Sequence, residues 1–284
     1  MTIEATQTDF TTRTPTTRRY LMCRPTYFDV VYEINPWMHA DEPVDHDLVM
    51  AQWETLRATY LALGHDVDVV EGEPGLPDMV YAANGATVVD GRALAVRFQH
   101  EQRRPETAAF ARWLSAHEFP VTEAHAVNEG EGDFLVADGR ILGAWGFRSE
   151  RAAHAEVAAF SGLEVVPLQL VDPRYYHLDT ALTVLSDDHI AYLPAAFSPA
   201  SRQRLEQLYP DAILVDAQDA AVLGLNAVSD GRHVVVAAQA VGYIAQLRAA
   251  GYIPVPVDLS ELRKGGGGIK CCTLELRARR GGAR

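Results

Sequence analysis

Four residues with chemically useful side chains recur at nearly equal intervals along the chain. Asn84 is followed by Glu129 after 45 residues, by His177 after a further 48, and by Cys271 after another 94, which is twice 47. A thiol near an imidazole is the smallest set of groups that supports nucleophilic catalysis, because the thiolate attacks and the imidazole transfers a proton to the leaving group. A carboxylate beside them would bind a cation. If the chain folds as a ring of equal units, this spacing brings all four groups into one cavity.

Two neighbouring features favour the functional interpretation. Asp179 lies two residues after His177 and shares its face if that stretch is extended. Four glycines, Gly265 to Gly268, precede Cys271 and allow the backbone to approach a ligand closely. The alternatives are a histidine that is merely part of the core or the surface, and a cysteine that is buried and inert.

The elements that must position these residues repeat five times. Amphipathic helical faces, each leading into a short β-rich run, are predicted at residues 49–63, 109–114, 152–160, 205–208 and 240–247. Glycines at 64, 162 and 251 end three of these helices. The period of about 42 to 52 residues is typical of propeller-like arrays.

Hairpin signals with Asp-Gly or similar turns lie between each strand and the next helix. They occur four times, at Val88–Arg92, Val136–Arg140, Leu185–His189 and Val228–Arg232. The fifth hairpin is expected to form from the two ends of the chain, Thr273–Leu276 with Tyr20–Cys23, which closes the ring and removes exposed sheet edges. A doubly wound sheet is the alternative, but a purely parallel sheet contains no hairpins. The sequence therefore predicts an α/β fold of five ββαβ units.

The chain is expected to form one domain over residues 20–278, with a flexible N-terminal segment at 1–19 and a flexible tail at 279–284. The basic run from Arg277 to Arg284 is expected to be solvated. No apolar stretch approaches 18 residues, and the start lacks the apolar core of a secretory signal. Three cysteines are an odd number, which favours a reducing compartment and a cytoplasmic location.

Charge and motifs narrow the possible ligands. The net charge of −13 argues against nucleic acid or a membrane surface as partner and fits a small cation. The segment Gly265–Lys270 departs from a phosphate-binding loop, because Lys270 does not follow a glycine directly and no Ser or Thr comes next. No Cys-x-x-Cys or His-Glu-x-x-His motif is present, so no metal is predicted, although His177, Asp179 and a cysteine could in principle bind zinc.

Several ordered segments resemble the guanidino-group-modifying enzymes. Within that superfamily the chain is most similar to the dimethylarginine dimethylaminohydrolase-like proteins and the cyanobacterial arginine dihydrolases. The resemblance covers residues from about 20 to 278. It is carried by Leu21–Pro25, Ile34–Met38, Pro77–Asn84, Glu129–Asp133, Gly146–Arg148, His177–Asp179 and Gly265–Cys271.

The resemblance implies a five-bladed α/β propeller, called the pentein fold, and hydrolysis at the guanidino carbon of arginine or a derivative without metal or cofactor. Cys271 would attack that carbon, and His177 would protonate the departing amine and then activate water against a covalent thiouronium intermediate. The resemblance also assigns substrate-binding roles: Glu129 and Asp179 to the guanidinium, Asp78 to the α-amino group, and Arg103 and Arg148 to the α-carboxylate.

Four departures from the family pattern are present, and the first three leave the substrate open. Most members of the superfamily have an Asp that binds the guanidinium where this chain has Asn84. The arginine dihydrolases, which release ornithine and ammonia, also have an Asn there. Lys270 replaces the usual His before the nucleophile, and Cys272 replaces the common Met after it. The acidic motif has one extra residue, so Glu131 could replace Glu129, although the spacing favours Glu129.

Other functions stay open on the sequence alone. An amidinotransferase would use the same intermediate with an amine in place of water. A binding protein for cationic amino acids would keep the cavity without turnover. The protein could also form a homo-oligomer.

Overall fold

Fifteen short strands form five separate three-stranded sheets in the computed structural model, which describes residues 13–137 and 139–278. The strands are β1 (Arg19–Cys23), β2 (Asp66–Val70), β3 (Ala86–Val89), β4 (Arg92–Ala95), β5 (Val121–Glu123), β6 (Phe134–Ala137), β7 (Arg140–Trp145), β8 (Val165–Gln169), β9 (Leu182–Ser186), β10 (His189–Tyr192), β11 (Ile213–Leu214), β12 (Val228–Ser229), β13 (His233–Ala237), β14 (Ile253–Val257) and β15 (Leu274–Glu275). The α-helices are α1 (His46–Ala62), α2 (Glu106–Ala116), α3 (Ala153–Ser161), α4 (Leu178–Ala181), α5 (Pro199–Leu208), α6 (Ala217–Ala220), α7 (Val241–Ala249) and α8 (Ser260–Arg263).

All five sheets share one topology. The sheet orders are β15-β1-β2, β3-β4-β5, β6-β7-β8, β9-β10-β11 and β12-β13-β14. In each sheet the first two strands are antiparallel, and the third returns parallel to the second after a helix. The predicted five ββαβ units are therefore confirmed, and the doubly wound alternative is wrong.

The two ends of the chain close the ring as predicted. Strand β15 pairs antiparallel with β1, with Tyr20 opposite Glu275 and Leu21 opposite Leu274. Strand β9 contacts both β6 and β12, so the first strands of these units lie side by side. Each of the five sheets thus contributes its first strand and the loop before it to the same central region.

Helix α1 shows how the sequence builds a unit. The Asp45 side chain accepts a hydrogen bond from the Leu48 backbone N–H at 3.0 Å and caps the helix. The side chains of Val49, Trp53, Leu56 and Tyr60 are buried at helical spacing. Burial of each large apolar side chain stabilises the unit by about 1.5–3 kcal/mol. Gly64 follows with a φ of +85°, a conformation that ends the helix where the sequence predicted.

Part of the segment predicted to be flexible is packed against the domain. Residues 1–12 lie outside the described residues, but Arg13 donates a 2.7 Å hydrogen bond to the Tyr252 hydroxyl and stacks over its ring. Thr16 donates its backbone N–H to the Asp230 carbonyl at 2.8 Å. Strand β1 begins at Arg19, so ordered pairing starts before the boundary expected at residue 20.

The prediction that Arg277 is solvated is wrong. Its guanidinium forms ion pairs with the carboxylates of Glu131 and Glu275, because it lies beside β15 rather than beyond the domain. Residues 279–284 of the predicted tail lie outside the described residues. Among the residues that the structure describes, no helix is both long and apolar enough to span a lipid bilayer.

Candidate active site

The predicted nucleophile lies in the loop that leads into β15. Cys271 is 2% exposed, and its sulfur lies 3.3 Å from Oδ2 of Asp179. Its carbonyl accepts a hydrogen bond from the backbone N–H of Ala83 at 3.0 Å, one residue before Asn84. The structure therefore brings the thiol, Asp179 and the Asn84 loop together although they are far apart in sequence.

Asn226 is a site residue that the sequence analysis missed. Its Nδ2 lies 3.1 Å from the Cys271 sulfur, and its Oδ1 accepts the Cys271 backbone N–H at 3.1 Å. It stands 49 residues after His177 and 45 before Cys271, in the loop before β12. The interval between His177 and Cys271 is twice the repeat length, so one unit of the ring lacked an assigned site residue. This gap is the signal that could have revealed Asn226.

His177 and Glu129 form a buried hydrogen-bonded pair. Nε2 of His177 lies 2.7 Å from Oε2 of Glu129, and the two side chains are 1% and 0% exposed. Burial lowers the pKa of His177 to about 4, although Glu129 opposes that change. Burial alone would raise the pKa of Glu129, but the Arg148 guanidinium and His177 hold it well below its usual range. The imidazole is therefore neutral and the carboxylate ionised at neutral pH.

This pair fixes the tautomer of the imidazole. An ionised carboxylate only accepts hydrogen bonds, so the proton of neutral His177 resides on Nε2. Nδ1 then carries the lone pair. It is buried without a hydrogen-bond partner among the described residues. Nδ1 is thus the atom of His177 that can take or give a proton during a reaction.

Glu131, the alternative carboxylate, points elsewhere. It accepts hydrogen bonds from Lys270 Nζ at 2.8 Å and from the Glu275 backbone N–H at 3.2 Å, and it pairs with Arg277. The backbone turns between the two glutamates at Gly130, whose φ is +59°. The geometry favours Glu129 as the site carboxylate, in agreement with the spacing argument.

Two glycines permit the close packing at the centre. A side chain at Gly132 would collide with the Asn84 amide and would approach the His177 ring to 3.2 Å. A side chain at Gly267 would collide with the Tyr81 ring and lie 3.1 Å from Cβ of Cys271. These positions therefore require the absence of a side chain.

Five of the eight predicted site residues line one small cavity. They are Asp78, Asn84, Arg103, Arg148 and Cys271. The other three, Glu129, His177 and Asp179, are not in the cavity lining. Glu129 and Asp179 hydrogen-bond to the lining residues Arg148 and Cys271, and His177 hydrogen-bonds to Glu129. Ile34 and Asn35, from the irregular segment between β1 and α1, also line the cavity.

Arg103 lies in the cavity but is already engaged. Its Nε and Nη2 donate to both oxygens of Glu106 at 2.9 and 2.8 Å, and its Nη1 donates to Oδ1 of Asn84 at 2.9 Å. Glu106, one helical turn away at the start of α2, is a second residue that the sequence analysis missed. A carboxylate ligand would therefore meet a guanidinium that Glu106 and Asn84 hold in place.

Arg148 joins the pair of His177 and Glu129 to the cavity. Its Nη1 donates to Oε2 of Glu129 at 3.0 Å, and its Nη2 donates to the Ile34 carbonyl at 3.0 Å. The guanidinium stacks over the Tyr176 ring at 4.5 Å. Arg148 therefore links the Ile34 segment, which lines the cavity, to the Glu129 carboxylate.

The site presents unpartnered acceptors. Oδ1 of Asp78, Oδ1 of Asp179 and Nδ1 of His177 are all buried with no hydrogen-bond partner among residues 13–137 and 139–278. Unsatisfied buried polar atoms are costly, so a set of three acceptors in one region points to a ligand rich in N–H donors. The carboxyl groups of Asp78, Glu106, Glu129 and Asp179 outnumber the guanidiniums of Arg103 and Arg148. Burial raises the pKa values of Asp78, Glu106 and Asp179, and a bound cation would favour their ionised forms.

Cys271, the predicted nucleophile, is a thiol at neutral pH. Burial, and next the Asp179 carboxylate, raise the pKa of Cys271 well above its ordinary value. Burial also raises the pKa of Asp179 to about 7, and the charge of Lys270 opposes that rise. A bound cation would stabilise both anions and so lower both pKa values. Within the described residues no cluster of three or more His, Cys, Asp or Glu side chains could hold a metal ion.

The closed ring of five ββαβ units, with a thiol, an imidazole and carboxylates on the loops before its first strands, is the architecture of the pentein fold. The chain belongs to the dimethylargininase family, since the family model described as N,N dimethylarginine dimethylhydrolase, eukaryotic, matches residues 33–278.

Known relatives agree with this assignment. The chain is 57% identical over 265 residues to an N(G),N(G)-dimethylarginine dimethylaminohydrolase of Mycobacterium tuberculosis, covering 93% of this chain and 87% of the relative. It is 36% identical to the bifunctional arginine dihydrolase/ornithine cyclodeaminase ArgZ of a Synechocystis strain, covering 91% of this chain but 37% of that longer protein. The structure superposes with a TM-score of 0.88 and 33% identity on the N-terminal domain of an ArgZ variant covalently bound to a reaction intermediate, covering 92% of this chain and 98% of that one.

Proposed function

We propose that the protein hydrolyses a C–N bond at the guanidino carbon of an N-methylated arginine or of arginine itself. The observation that carries this proposal is the set of unpartnered buried acceptors on Asp78, Asp179 and His177, in a site where the Cys271 sulfur lies 3.3 Å from Asp179. The guanidinium of arginine has five N–H donors, that of asymmetric dimethylarginine has three, and an ammonium has three, so a molecule with a guanidinium at one end and an ammonium at the other complements these acceptors. The two relatives named above act on substrates of this kind.

The residues divide the substrate between them. The guanidinium lies between Asp179 and Glu129, the α-ammonium group contacts Asp78, and the α-carboxylate contacts Arg103 and Arg148. The cation at Asp179 lowers the pKa of the neighbouring thiol, so that binding favours the reactive thiolate. This arrangement keeps Cys271 protonated until a positively charged substrate is present.

The reaction proceeds through two substitutions at one carbon. The Cys271 sulfur forms a bond to the guanidino carbon, and the proton that leaves the thiol passes through His177 to the departing amine as its C–N bond breaks. Water then attacks the resulting thiouronium carbon and gives a proton to Nδ1 of His177. The C–S bond breaks, the thiol regains its proton, and a ureido product is released.

Arginine dihydrolysis is a second candidate, and Asn84 favours it. An amide at this position keeps a hydrogen-bond acceptor without the negative charge of an aspartate. The Asn84 amide also donates to the Glu129 carbonyl at 3.3 Å, so it links the two loops at the guanidinium end of the site. In this case the ureido product would remain bound, a second water would displace its terminal NH₂ group as ammonia, and the resulting carbamate would lose CO₂, which leaves ornithine.

Product analysis tests the proposal. The protein is incubated separately with asymmetric dimethylarginine and with arginine, and the products are identified by mass spectrometry. Citrulline with dimethylamine supports a dimethylargininase, and ornithine with ammonia supports a dihydrolase. The Cys271→Ser variant serves as the control and is expected to form neither. Binding of both compounds without any product would instead support a non-catalytic binding protein. Transfer of the amidino group to an added amine would support an amidinotransferase. A cytoplasmic location belongs to the same proposal.

A further inference from the structure

The side chain of Asn226 is saturated by contacts to the nucleophile and its neighbour. Nδ2 lies 3.1 Å from the Cys271 sulfur and 3.1 Å from the Asp179 carbonyl, while Oδ1 accepts the Cys271 backbone N–H. The residue is 0% exposed and does not line the substrate cavity. Asn226 therefore contacts the Cys271 sulfur without lining the cavity itself.

The hydrogen-bond network fixes the orientation of this amide. A backbone N–H can only donate, so the atom facing the Cys271 nitrogen must be the amide oxygen. The NH₂ group then faces the sulfur and a carbonyl oxygen, which are both acceptors. One of its two hydrogens is directed to each. Rotation of the amide by 180° would place donors against the Cys271 N–H and would leave the sulfur facing an oxygen.

This donor opposes the unfavourable surroundings of the thiolate. Burial and the Asp179 carboxylate disfavour a negative charge on Cys271 and raise its pKa, as does the neighbouring Cys272. The backbone of Gly268 acts in the other direction. The Asn226 amide and the Gly268 backbone thus converge on the sulfur as a pair of donors. A hydrogen bond to an ionised acceptor is roughly twice as strong as one to a neutral acceptor, so this donor favours the thiolate over the thiol.

We propose that Asn226 is a catalytic residue that stabilises the Cys271 thiolate and fixes the direction of its attack. The inference takes Cys271 as the nucleophile of the proposed function. It also explains the spacing of the site, because each of the five units then contributes one residue from the loop before its first strand. These residues are Asn84, Glu129, His177, Asn226 and Cys271.

The test measures the alkylation of Cys271 by iodoacetamide between pH 6 and pH 11, with the modified peptide quantified by mass spectrometry. This readout requires no substrate, so it can fail or succeed independently of the proposed function. In Asn226→Ala the apparent pKa for alkylation is expected to rise by about one unit, which corresponds to a tenfold loss of thiolate at neutral pH. Turnover of the guanidino substrate should fall by about tenfold or more with KM changed less than threefold.

Two further variants separate this role from a structural one. Thr183→Val removes the hydrogen bond to the carbonyl of Leu225, the neighbour of Asn226, without touching the sulfur. It should leave both the alkylation profile and turnover near those of the unmodified protein. Asn226→Asp keeps the oxygen that accepts the Cys271 backbone N–H but loses the NH₂ group that faces the sulfur. This variant is used for the measurement if Asn226→Ala does not fold. An unchanged alkylation pKa in a folded Asn226 variant would overturn the proposal, as would an equal shift in Thr183→Val.

Discussion

Replacing Glu129 by glutamine tests the hydrogen-bonded pair at the centre of the site. Three donors converge on this carboxylate: Nε2 of His177 at 2.7 Å and Nη1 of Arg148 at 3.0 Å on one oxygen, and the backbone N–H of Gln99 at 3.3 Å on the other. A glutamine has the same size but one acceptor oxygen. Its NH₂ group must face at least one of the donors in either orientation.

The expected loss of stability follows from the burial of Arg148. Its guanidinium is 3% exposed and loses its carboxylate partner, and breaking a buried ion pair in this way costs about 3–5 kcal/mol. The imidazole also loses the ionised acceptor that fixes its tautomer, so kcat should fall by about 10²- to 10⁴-fold. Urea unfolding measures the first effect, and steady-state turnover of the guanidino substrate measures the second.

Glu131→Gln is the matched control. Glu131 is equally buried and pairs with Lys270 and Arg277, so this variant should also lose stability, but its kcat should fall less than about threefold because the carboxylate faces away from the cavity. If the free energy of unfolding of Glu129→Gln lies within about 1 kcal/mol of that of the unmodified protein and the variant retains turnover, the roles assigned to the pairs of Glu129 with Arg148 and His177 are wrong. If Glu131→Gln loses turnover instead, the other carboxylate is the one that acts.

Three more results are expected. Gly132→Ala forces a methyl group against the Asn84 amide and the His177 ring, so kcat/KM should fall at least about tenfold while circular dichroism still shows a folded protein. Asp179→Asn should abolish turnover yet stabilise the protein at pH 8. Burial raises the pKa of Asp179 to about 7, so the folded protein keeps this proton to a higher pH than the unfolded chain does. The stability of the unmodified protein therefore declines as the pH rises from about 4 to 7, and the variant lacks this decline. Urea unfolding of Asp179→Asn should show a gain of up to about 4 kcal/mol at pH 8 that vanishes below pH 4, and an equal or smaller stability at pH 8 would contradict the assignment. Lys270→Met removes the charge that lowers the pKa of Asp179, so Asp179 should ionise at a higher pH. The pH at which KM for the cationic substrate falls should therefore be higher in the variant. An unchanged pH profile of KM would show that Lys270 does not act on this carboxylate.

The repeated units could be predicted because each is specified locally. The apolar spacing of Val49, Trp53 and Tyr60 with Gly64 after them fixes a helix and its end, and Asp-Gly turns fix the hairpins. Closure of the ring by β1 and β15 followed from counting, since four internal hairpins left one unit incomplete. The spacing from Asn84 to Cys271 then placed the chemistry at the hub.

The partners inside the site were harder to predict because they depend on loops without regular structure. Which glutamate faces His177 is decided by the backbone at Gly130, and no periodic pattern reports that angle. Asn226 escaped notice because a carboxamide suggests no reaction by itself, although the double interval before Cys271 marked its place. Glu106 was overlooked because an acidic residue in the first turn of a helix is ordinarily solvated, whereas here it is buried against Arg103.

Rapid-quench mass spectrometry of the protein during turnover tests the covalent mechanism most directly. With dimethylarginine or arginine as substrate, the peptide that contains Cys271 should gain the mass of a thiouronium adduct, and this adduct should decay at the rate at which product appears. The Cys271→Ser variant should form no such adduct. Product formation by that variant at the rate of the unmodified protein, or an adduct on Cys23 or Cys272 instead, would contradict attack by Cys271.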